Sequence, residues 1–421
     1  MTAVPLRRNR DFVLLQSGQL LSNMGTQVAS IAYPLLVLEL TGSAAKAGFV
    51  AFARFLPRAL FALPAGVAAD RWNRKWLMIG SDSVRVVAVS ALVVTIVLDS
   101  SAFWPIPLIA FVEGAAGAFF ASAYPGALRS VVAVTQLPDA IAAQTGRGAI
   151  VQLGGAPLGG VLFTVARVLP FIVDVVSYAF SAISLLAMRG TFQEKRERDT
   201  APLRSRLFEG IRYVWQQPFL RTCALIFGPL NFVAPGLIFS LVVIGTDQGL
   251  SGGQVGLLVA SWFAFALLGT FLSPFVRRAL PVRAVFVLEL WTWVGCAAFL
   301  VWPNVYVLAA SMIPSALAVP STDAVVHGYR IALTPDRLLG RAESAWSTFA
   351  LLMAPFGPLL AGILIADVSA RAAIAMFALS ALALAIWGTL SRSLRTTRSL
   401  DELAELPVRE DIEPTGPVLG G

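Results

Sequence analysis

The chain has 421 residues, 57% of them hydrophobic and 13% charged, with a formal net charge of +8 and a mean hydropathy of +0.76. A soluble domain contains roughly 45–50% apolar and about 25% charged residues, so this composition excludes one and indicates a polytopic membrane protein. The two cysteines, Cys223 and Cys296, both lie in apolar runs. A disulfide framework and a cysteine metal site are therefore not expected.

The predicted spans follow one another closely along the chain. A helix needs about 20 mostly apolar residues to cross the hydrocarbon core of a bilayer, and twelve stretches meet this requirement. They cover residues 12–39, 47–69, 76–98, 103–127, 144–166, 168–188, 220–245, 254–276, 284–302, 305–327, 342–366 and 371–390. No small-residue cleavage site follows the basic start, so the first span is expected to stay in the mature protein.

The basic residues indicate the orientation of these spans. Of the 32 lysines and arginines, 25 fall on the side that carries both termini, three fall on the other side and four lie inside spans. Because lysine and arginine are retained in cytoplasmic loops, both termini are predicted to be cytoplasmic, in a cell membrane that the chain crosses twelve times. The positive net charge then needs no nucleic acid as a partner.

The chain is predicted to divide into four parts. A six-span bundle covers 1–188, a cytoplasmic linker 189–218, a second six-span bundle 219–390 and a disordered cytoplasmic tail 391–421. Within the linker, apolar residues recur at helical spacing from Leu203 to Trp215 with arginines between them, which predicts an amphipathic helix on the membrane surface. The fold class is accordingly an all-α membrane protein with twelve helices in two six-helix bundles.

A charged loop motif closes the second span. It consists of Gly66, Asp70, Arg71, Arg74 and Lys75. A carboxylate among arginines at a helix end makes charge-assisted pairs, so we interpret the loop as a cytoplasmic gate. Asp82 and Arg85 in span three are expected to pair at i,i+3 and to belong to the same gate. The loop resembles the Gly-x-x-x-Asp-Arg-x-Gly-Arg-Arg/Lys motif of the major facilitator superfamily, from which Asn73 departs.

The resemblance is narrower in the first two spans. Gly18-Gln19-Leu20-Leu21-Ser22-Asn23-Met24-Gly25, Leu40-Thr41-Gly42-Ser43 and Leu63-Pro64-Ala65-Gly66 are similar to the enterobactin-exporter and macrolide-efflux branch. The resemblance implies the major facilitator fold and export of amphiphilic small molecules. Members often carry an acid directly after the span-one glycine, where this chain has Thr26.

Span five carries closely spaced small residues around a proline. The residues Gly155, Pro157, Gly159 and Gly160 resemble the antiporter motif of drug/proton exchangers, with Ala156 in place of one of its glycines. The resemblance implies sealing of the bundle against proton leak. The same residues are equally consistent with ordinary close packing of membrane helices.

Charges inside the spans are the candidate coupling or substrate-binding groups, because an ionisable residue near the bilayer centre is costly. They are Glu113, Arg54, Arg58, Asp323 and Asp174. Glu113 in span four falls at the depth of Arg54 and Arg58 in span two, so the three are expected to pair. Glu113 then either carries a coupling proton or cation, or only stabilises the bundle in an ion pair.

Other polar residues are candidates for the cavity wall. By resemblance, spans one, four, seven and ten line the cavity, which favours Glu113 and Asp323 over Asp174. Polar candidates on spans one and seven are Gln19, Asn23, Gln27 and Asn231. No phosphate loop, zinc spacing or nucleophile motif is present, so an enzyme is not expected.

The sequence thus favours a secondary transporter that exports amphiphilic small molecules such as a drug, antibiotic, secondary metabolite or siderophore. Proton antiport with alternating access is expected, without a cofactor other than the proton gradient. A lysophospholipid or other lipid transporter of the same fold is the alternative. The expected partners are the substrate and the lipid bilayer, and we expect a monomer.

Overall fold

The computed structural model describes residues 5–99, 102–190, 203–334, 338, 346, 348–349 and 351–395. Within these ranges all regular secondary structure is helical, as the sequence predicts. We refer to the side of the molecule at which the first helix begins as the N-terminal face. Successive long helices run alternately away from this face and back to it.

Six long helices between residues 10 and 187 form what we call the N-terminal lobe. They are α1 (Arg10–Thr41), α2 (Ala44–Arg71), α3 (Arg74–Val97), α4 (Pro105–Val131), α5 (Leu137–Val165) and α6 (Leu169–Ala187). Within this lobe α2 packs along α4, α1 packs along α5 and α6, and α3 packs between α4 and α6. The six spans predicted for this half are therefore present as helices.

Short capped turns join these helices. Gly42 ends α1 with a φ of +62°, in the left-handed region that glycine adopts without strain. Ser43 then caps α2 by accepting a hydrogen bond from the backbone N–H of Lys46. In the gate loop, the side chain of Asn73 accepts hydrogen bonds from the backbone N–H groups of Lys75 and Trp76. Asn73 thus caps α3.

The second half begins with α7 (Leu203–Gln216), which agrees with the amphipathic helix predicted from Leu203 to Trp215. The helices after it form what we call the C-terminal lobe. They are α8 (Pro218–Asp247), α9 (Gly252–Ala279), α10 (Val282–Val294), α11 (Ala298–Val301), α12 (Val305–Ser311), α13 (Ile313–Leu333), α14 (Phe356–Asp367), α15 (Ala370–Leu390) and α16 (Arg392–Arg395).

Two spans of this lobe are interrupted. A 3-10 turn, Gly295–Ala297, separates α10 from α11 within the predicted span 284–302. The predicted span 305–327 is divided at Met312 into α12 and α13. Pro314 near the start of α13 has no backbone N–H for the helical ladder, which accounts for the second interruption.

Ten helical segments of the described chain are long and apolar enough to cross a membrane. α14 is a shorter apolar helix and corresponds to the end of the predicted span 342–366, whose beginning lies largely outside the described residues. α1 is 32 residues long but is not among the ten, because Gln16, Gln19, Asn23 and Gln27 lower its hydropathy.

The first residues of the predicted disordered tail are ordered. Residues Arg392–Arg395 form α16, in which the side chain of Leu394 is only 1% exposed. Arg395 also donates a hydrogen bond to the carbonyl oxygen of Thr389 at 3.3 Å. The expectation of disorder from residue 391 is therefore wrong for these first residues, because Leu394 is buried. Residues 396–421 lie outside the described part of the chain.

The two lobes contact each other near the face opposite the N-terminal face. There α5 packs against α9, and α2 packs against α14. A Cβ atom on Gly252 would lie 2.8 Å from the carbonyl oxygen of Gly160, and one on Gly48 would lie 2.5 Å from that of Pro358. Glycine permits this approach of two backbones because it has no side chain.

Candidate functional site

A buried ion pair lies at the centre of the N-terminal lobe. Arg54 of α2 and Glu113 of α4 form a 2.7 Å salt bridge, in which the Glu113 side chain is 3% exposed. Tyr33 of α1 donates a hydrogen bond to Glu113 Oε2 at 2.8 Å, and Tyr178 of α6 donates to Oε1 at 3.1 Å. Both carboxylate oxygens of Glu113 therefore have partners from three other helices.

Thr26 connects this pair to the middle of α1. Its hydroxyl lies 2.8 Å from the hydroxyl of Tyr178, and its backbone carbonyl accepts a hydrogen bond from Arg54 at 3.2 Å. The family resemblance leads us to expect an acid at this position. In this chain the position still belongs to the buried polar network, through a hydroxyl group instead of a carboxylate.

The predicted i,i+3 contact between Asp82 and Arg85 of α3 is present, with a 3.3 Å salt bridge. The Arg85 guanidinium also lies 5.0 Å from the ring centroid of Tyr178 and 5.4 Å from that of Phe120. A cation over an aromatic face is stabilised by the ring quadrupole. Asp82 and Arg85 therefore continue the network of buried charges from α3 into α4 and α6.

Asp174 of α6 differs from the other buried acids of this lobe. The residue is fully buried, and neither of its carboxylate oxygens has a hydrogen-bond partner. It faces Gly25 of α1, on which a Cβ atom would lie 2.8 Å from Asp174 Oδ1. An ionised carboxylate without a partner is very costly in an apolar interior, whereas the neutral acid costs much less.

The structure therefore separates two carboxylates that the sequence places among the same candidates. Glu113 is paired and hydrogen-bonded, which favours its ionised form, while Asp174 has the surroundings of a neutral acid. Asp174 nevertheless lies within electrostatic reach of Glu113, Arg54 and Arg85, and the Tyr178 side chain is its polar neighbour on the same helix. Asp174 lies on the face of α6 that packs on α1.

The remaining charges and amides within the spans are less closely connected. Arg58 and Asp323 are exposed, and neither forms a salt bridge within the described part of the chain. Asn23 is exposed, whereas the Gln19 side chain is 6% exposed. Gln27 packs against Gly155, where a Cβ atom would lie 2.5 Å from Gln27 Cγ. Asn231 donates to the carbonyl oxygen of Phe227 in its own helix at 2.9 Å.

The basic residues of the gate loop bind within their own lobe. Lys75 donates hydrogen bonds to the carbonyl oxygens of Leu186 and Met188 at the end of α6, at 3.4 and 2.5 Å. Arg74 donates to the carbonyl oxygen of Ala69 at 3.3 Å. Asp70 and Arg71 are exposed, and Gly66 has open space around its Cα. Asp70 has no salt bridge with any residue that the structure describes.

The small residues of span five make two different contacts. Gly155 and Gly159 face Gln27 and Val28 of α1 inside the N-terminal lobe. Gly160 faces Gly252 of α9 in the other lobe, and a Cβ atom on Gly256 would lie 2.9 Å from the Cα of Pro157. The motif that resembles an antiporter signature thus lies at the contact between lobes.

Sequence reasoning did not single out Tyr33 and Tyr178. Both rings are almost completely buried, at 1% and 0% exposure, and both hydroxyls bind Glu113. The available signal is a tyrosine inside a predicted span, clearest for Tyr178 at the middle of 168–188, because a buried tyrosine hydroxyl usually has a hydrogen-bond partner.

Comparison with known proteins identifies the family. A family model of the major facilitator superfamily, described as a transmembrane secretion effector, matches residues 2–414. The chain belongs to this family. The resemblance of the loop motif to the major facilitator superfamily is thereby confirmed.

Two curated relatives of this chain are efflux proteins. The multidrug efflux pump Tap of Mycolicibacterium fortuitum is 28% identical over 378 residues, which cover 83% of this chain and 88% of that protein. Macrolide efflux protein A of Streptococcus pyogenes is 22% identical over 365 residues, which cover 84% of this chain and 88% of that protein.

Solved structures confirm the fold of this secretion effector. A bacterial homologue of the human lysosomal transporter Spinster superposes with a TM-score of 0.73 at 15% identity, covering 92% of this chain and 98% of that one. A bacterial homologue of the iron transporter ferroportin gives a TM-score of 0.68 at 16% identity, covering 91% of this chain and all of that one. At this identity the likeness shows the fold alone.

Proposed function

We propose that the protein exports amphiphilic small molecules from the cell in exchange for protons. Membership of the secretion effector family supports export. The two relatives named as a multidrug and a macrolide efflux protein support amphiphilic drugs or antibiotics as substrates. The observation that carries proton coupling is Asp174, a fully buried carboxylate without a hydrogen bond. An enzymatic reaction is not part of this proposal.

In this proposal the N-terminal face lies in the cytoplasm, as the excess of lysine and arginine on that side favours. The lobes contact each other through Gly160 and Gly252, and through Gly48 and Pro358, near the opposite, outer face. The state described here is then closed toward the outside, with the cleft between the lobes open to the cytoplasm. Rocking of the lobes about the cleft gives access to the outside.

Asp174 carries the exchanged proton in this mechanism. With α1 packed over it, the carboxylate holds the proton, because the ionised form has no partner there. A movement of α1 that admits water next to Gly25 stabilises the carboxylate and releases the proton. Glu113 keeps its charge throughout, because Arg54 and Tyr33 bind it directly. Proton binding thereby favours one arrangement of α1 and α6.

Transport into inside-out membrane vesicles tests this proposal. Vesicles with a proton gradient are given hydrophobic dyes, antibiotics and siderophores, with and without a protonophore. We expect wild-type vesicles to accumulate at least one class of compound only while the gradient lasts. Asp174→Asn, which resembles the neutral acid, should remove the dependence on the gradient and still permit exchange of labelled for unlabelled substrate.

Asp367→Asn is the matched control. It makes the same chemical change at an exposed helix end, and it should behave as wild type. If Asp174→Asn accumulates substrate with the wild-type dependence on the gradient, Asp174 does not carry the proton. If no compound accumulates in wild-type vesicles, export of amphiphiles is contradicted.

A further inference from the structure

Arg58 is a charged side chain in the middle of a membrane-spanning helix. It is fourteen residues from Ala44 and thirteen from Arg71, the two ends of α2, so it lies about 20 Å from either end at a rise of 1.5 Å per residue. An arginine at this depth is costly, and such residues face a bundle interior or a water-filled cavity. The surroundings of Arg58 indicate which of these applies.

The other three arginines inside the predicted spans of the N-terminal lobe have polar partners. Arg54 binds Glu113, and Arg85 binds Asp82. Arg147 of α5 donates a hydrogen bond to the side-chain oxygen of Gln16. Arg58 forms no salt bridge or hydrogen bond with any residue in the described ranges, and it is exposed although it lies at mid-span. Its positive charge therefore has no counter-ion among them.

Arg58 lies on the side of α2 that is turned toward the C-terminal lobe and away from the exposed apolar residues of this helix. On α2, Arg54 faces α1 and α4, and Gly48 faces α14. At about 100° per residue, Arg58 lies about 40° around the helix axis from Arg54, in the direction of Gly48. The exposed apolar residues Phe49 and Leu60 lie about 220–240° from Arg54 on the same scale. Arg58 thus lies between the faces of α2 that contact α1 and the C-terminal lobe.

Arg58 also lies just beyond the last aromatic contact between α2 and α14. The rings of Phe52 and Phe356 are 5.4 Å apart at their centroids. Arg58 is six residues nearer the N-terminal face, which corresponds to about 9 Å along the helix. In the direction of the N-terminal face, Arg54 comes first after this contact but is paired with Glu113. Arg58 is the first charged side chain of α2 beyond it, and it has no salt bridge with any residue in the described ranges.

The local charge around Arg58 is positive. Arg54 and Arg85 act on it as like charges, and Glu113 acts as an opposite charge, but Glu113 is already bound by Arg54. Because Arg85 is likewise paired with Asp82, the unbalanced positive charge is that of Arg58 itself, and it would attract an anion. A guanidinium also presents several N–H donors in a plane, a geometry that suits carboxylate, sulfonate and phosphate oxygens.

We propose that Arg58 binds the anionic group of an amphiphilic ligand in the cleft, so that the exported compounds include amphiphilic anions or zwitterions. This proposal rests on the proposed export function, whose substrate class it narrows. The apolar part of the ligand lies along the uncharged cleft side of α2, formed by Ala51, Phe55 and Ala62. A carboxylate, sulfonate or phosphate group then lies against the Arg58 guanidinium.

Binding of two fluorescent amphiphiles that differ in charge tests this proposal. The sulfonate 1-anilinonaphthalene-8-sulfonate and the neutral N-phenyl-1-naphthylamine share one apolar body. Each is titrated against the purified full-length protein in phosphatidylcholine nanodiscs, with the signal of empty nanodiscs subtracted. We expect Arg58→Gln to weaken sulfonate binding at least tenfold and neutral binding less than twofold. Arg58→Lys should retain most of the sulfonate binding.

Arg371→Gln is the matched control, because it removes an exposed positive charge at the start of α15. It should leave both affinities unchanged. Equal weakening of both compounds in Arg58→Gln overturns the proposal, as does unchanged sulfonate binding or no sulfonate binding to the wild type. If Arg58→Gln has a lowered Tm, we compare sulfonate binding in Arg58→Lys and Arg371→Gln instead. Loss of sulfonate binding in Arg58→Lys would then overturn the proposal.

Nanodiscs that also contain phosphatidylglycerol distinguish two sources of the anion. If the bound group is a lipid phosphate, phosphatidylglycerol should weaken sulfonate binding to the wild type but not to Arg58→Gln. If it belongs to a free small molecule, the lipid should have no effect on either protein. Both outcomes support anion binding at Arg58. Sulfonate binding through Arg58 without gradient-driven accumulation in vesicles would contradict the export function and leave the anion site in place.

Discussion

Gly160 of α5 and Gly252 of α9 bring the backbones of the two lobes into direct contact. A Cβ atom on Gly252 would lie 2.8 Å from the carbonyl oxygen of Gly160, a distance shorter than an ordinary van der Waals contact. A side chain at either position requires the backbones to move apart. The contact is therefore specific to the arrangement of lobes that the structure describes.

Replacement of Gly160 by alanine should shift the protein toward conformations in which the lobes are separated near the face opposite the N-terminal face. Spin labels on Lys46→Cys and Asp247→Cys, at exposed positions of the two lobes on that side, report the separation. Both native cysteines are buried. We expect a longer mean distance in Gly160→Ala than in Gly154→Ala, whose Cβ would meet Met24 Cε at 3.6 Å. Identical distance distributions would contradict the prediction.

Replacement of Gly25 by alanine should destabilise the N-terminal lobe. The new Cβ atom would meet Asp174 Oδ1 at 2.8 Å as well as the Ser177 hydroxyl, and overpacking of this kind costs roughly 1–3 kcal/mol. Gly80→Ala is the control, because nothing lies within 4 Å of a Cβ atom there. Thermal unfolding in detergent should give a lower Tm for Gly25→Ala than for Gly80→Ala, and the reverse order would be evidence against this packing.

Replacement of Glu113 by glutamine should destabilise the protein by about 3–5 kcal/mol, because it leaves the Arg54 guanidinium buried without a counter-ion. Tyr33→Phe removes one hydrogen bond to a charged group and should cost about 1.5–3 kcal/mol. Chemical unfolding of the purified variants measures both. The double variant Arg54→Gln/Glu113→Gln should be more stable than Glu113→Gln alone. A double variant that is less stable would show that the ion pair is not the main interaction of Glu113.

Replacement of Asp70 by asparagine should lower transport without lowering the stability of the protein. Asp70 is exposed and has no salt bridge within the described residues, so the free energy of unfolding should change by less than about 0.5 kcal/mol. If Asp70 pairs with an arginine of the gate loop in another conformation, Asp70→Asn should lower transport into vesicles at least tenfold. Lys75→Ala removes the bonds to the end of α6 and should lower the Tm. An equal loss of Tm in Asp70→Asn would assign Asp70 a structural role.

Much of the fold follows from the sequence because composition and charge distribution act over whole spans. The pairing of Arg54 with Glu113 is predictable from their equal depth, and that of Asp82 with Arg85 from their spacing along one helix. The isolation of Asp174 is not predictable, because it depends on the absence of a side chain at Gly25 of another helix. The contacts of Glu113 with Tyr33 and Tyr178 likewise depend on how α1 and α6 are packed.

The glycine contacts between the lobes also bear on the energy of the transport cycle. Separation of Gly160 from Gly252 breaks a contact made by two backbones, so this part of the lobe contact buries no side chain of its own. A ligand or proton shifts the equilibrium between two global states only by its differential affinity for the states, and each 1.4 kcal/mol of difference is about a tenfold change in their ratio. In the proposed proton exchange, a tenfold difference in proton affinity between the two states changes their ratio tenfold.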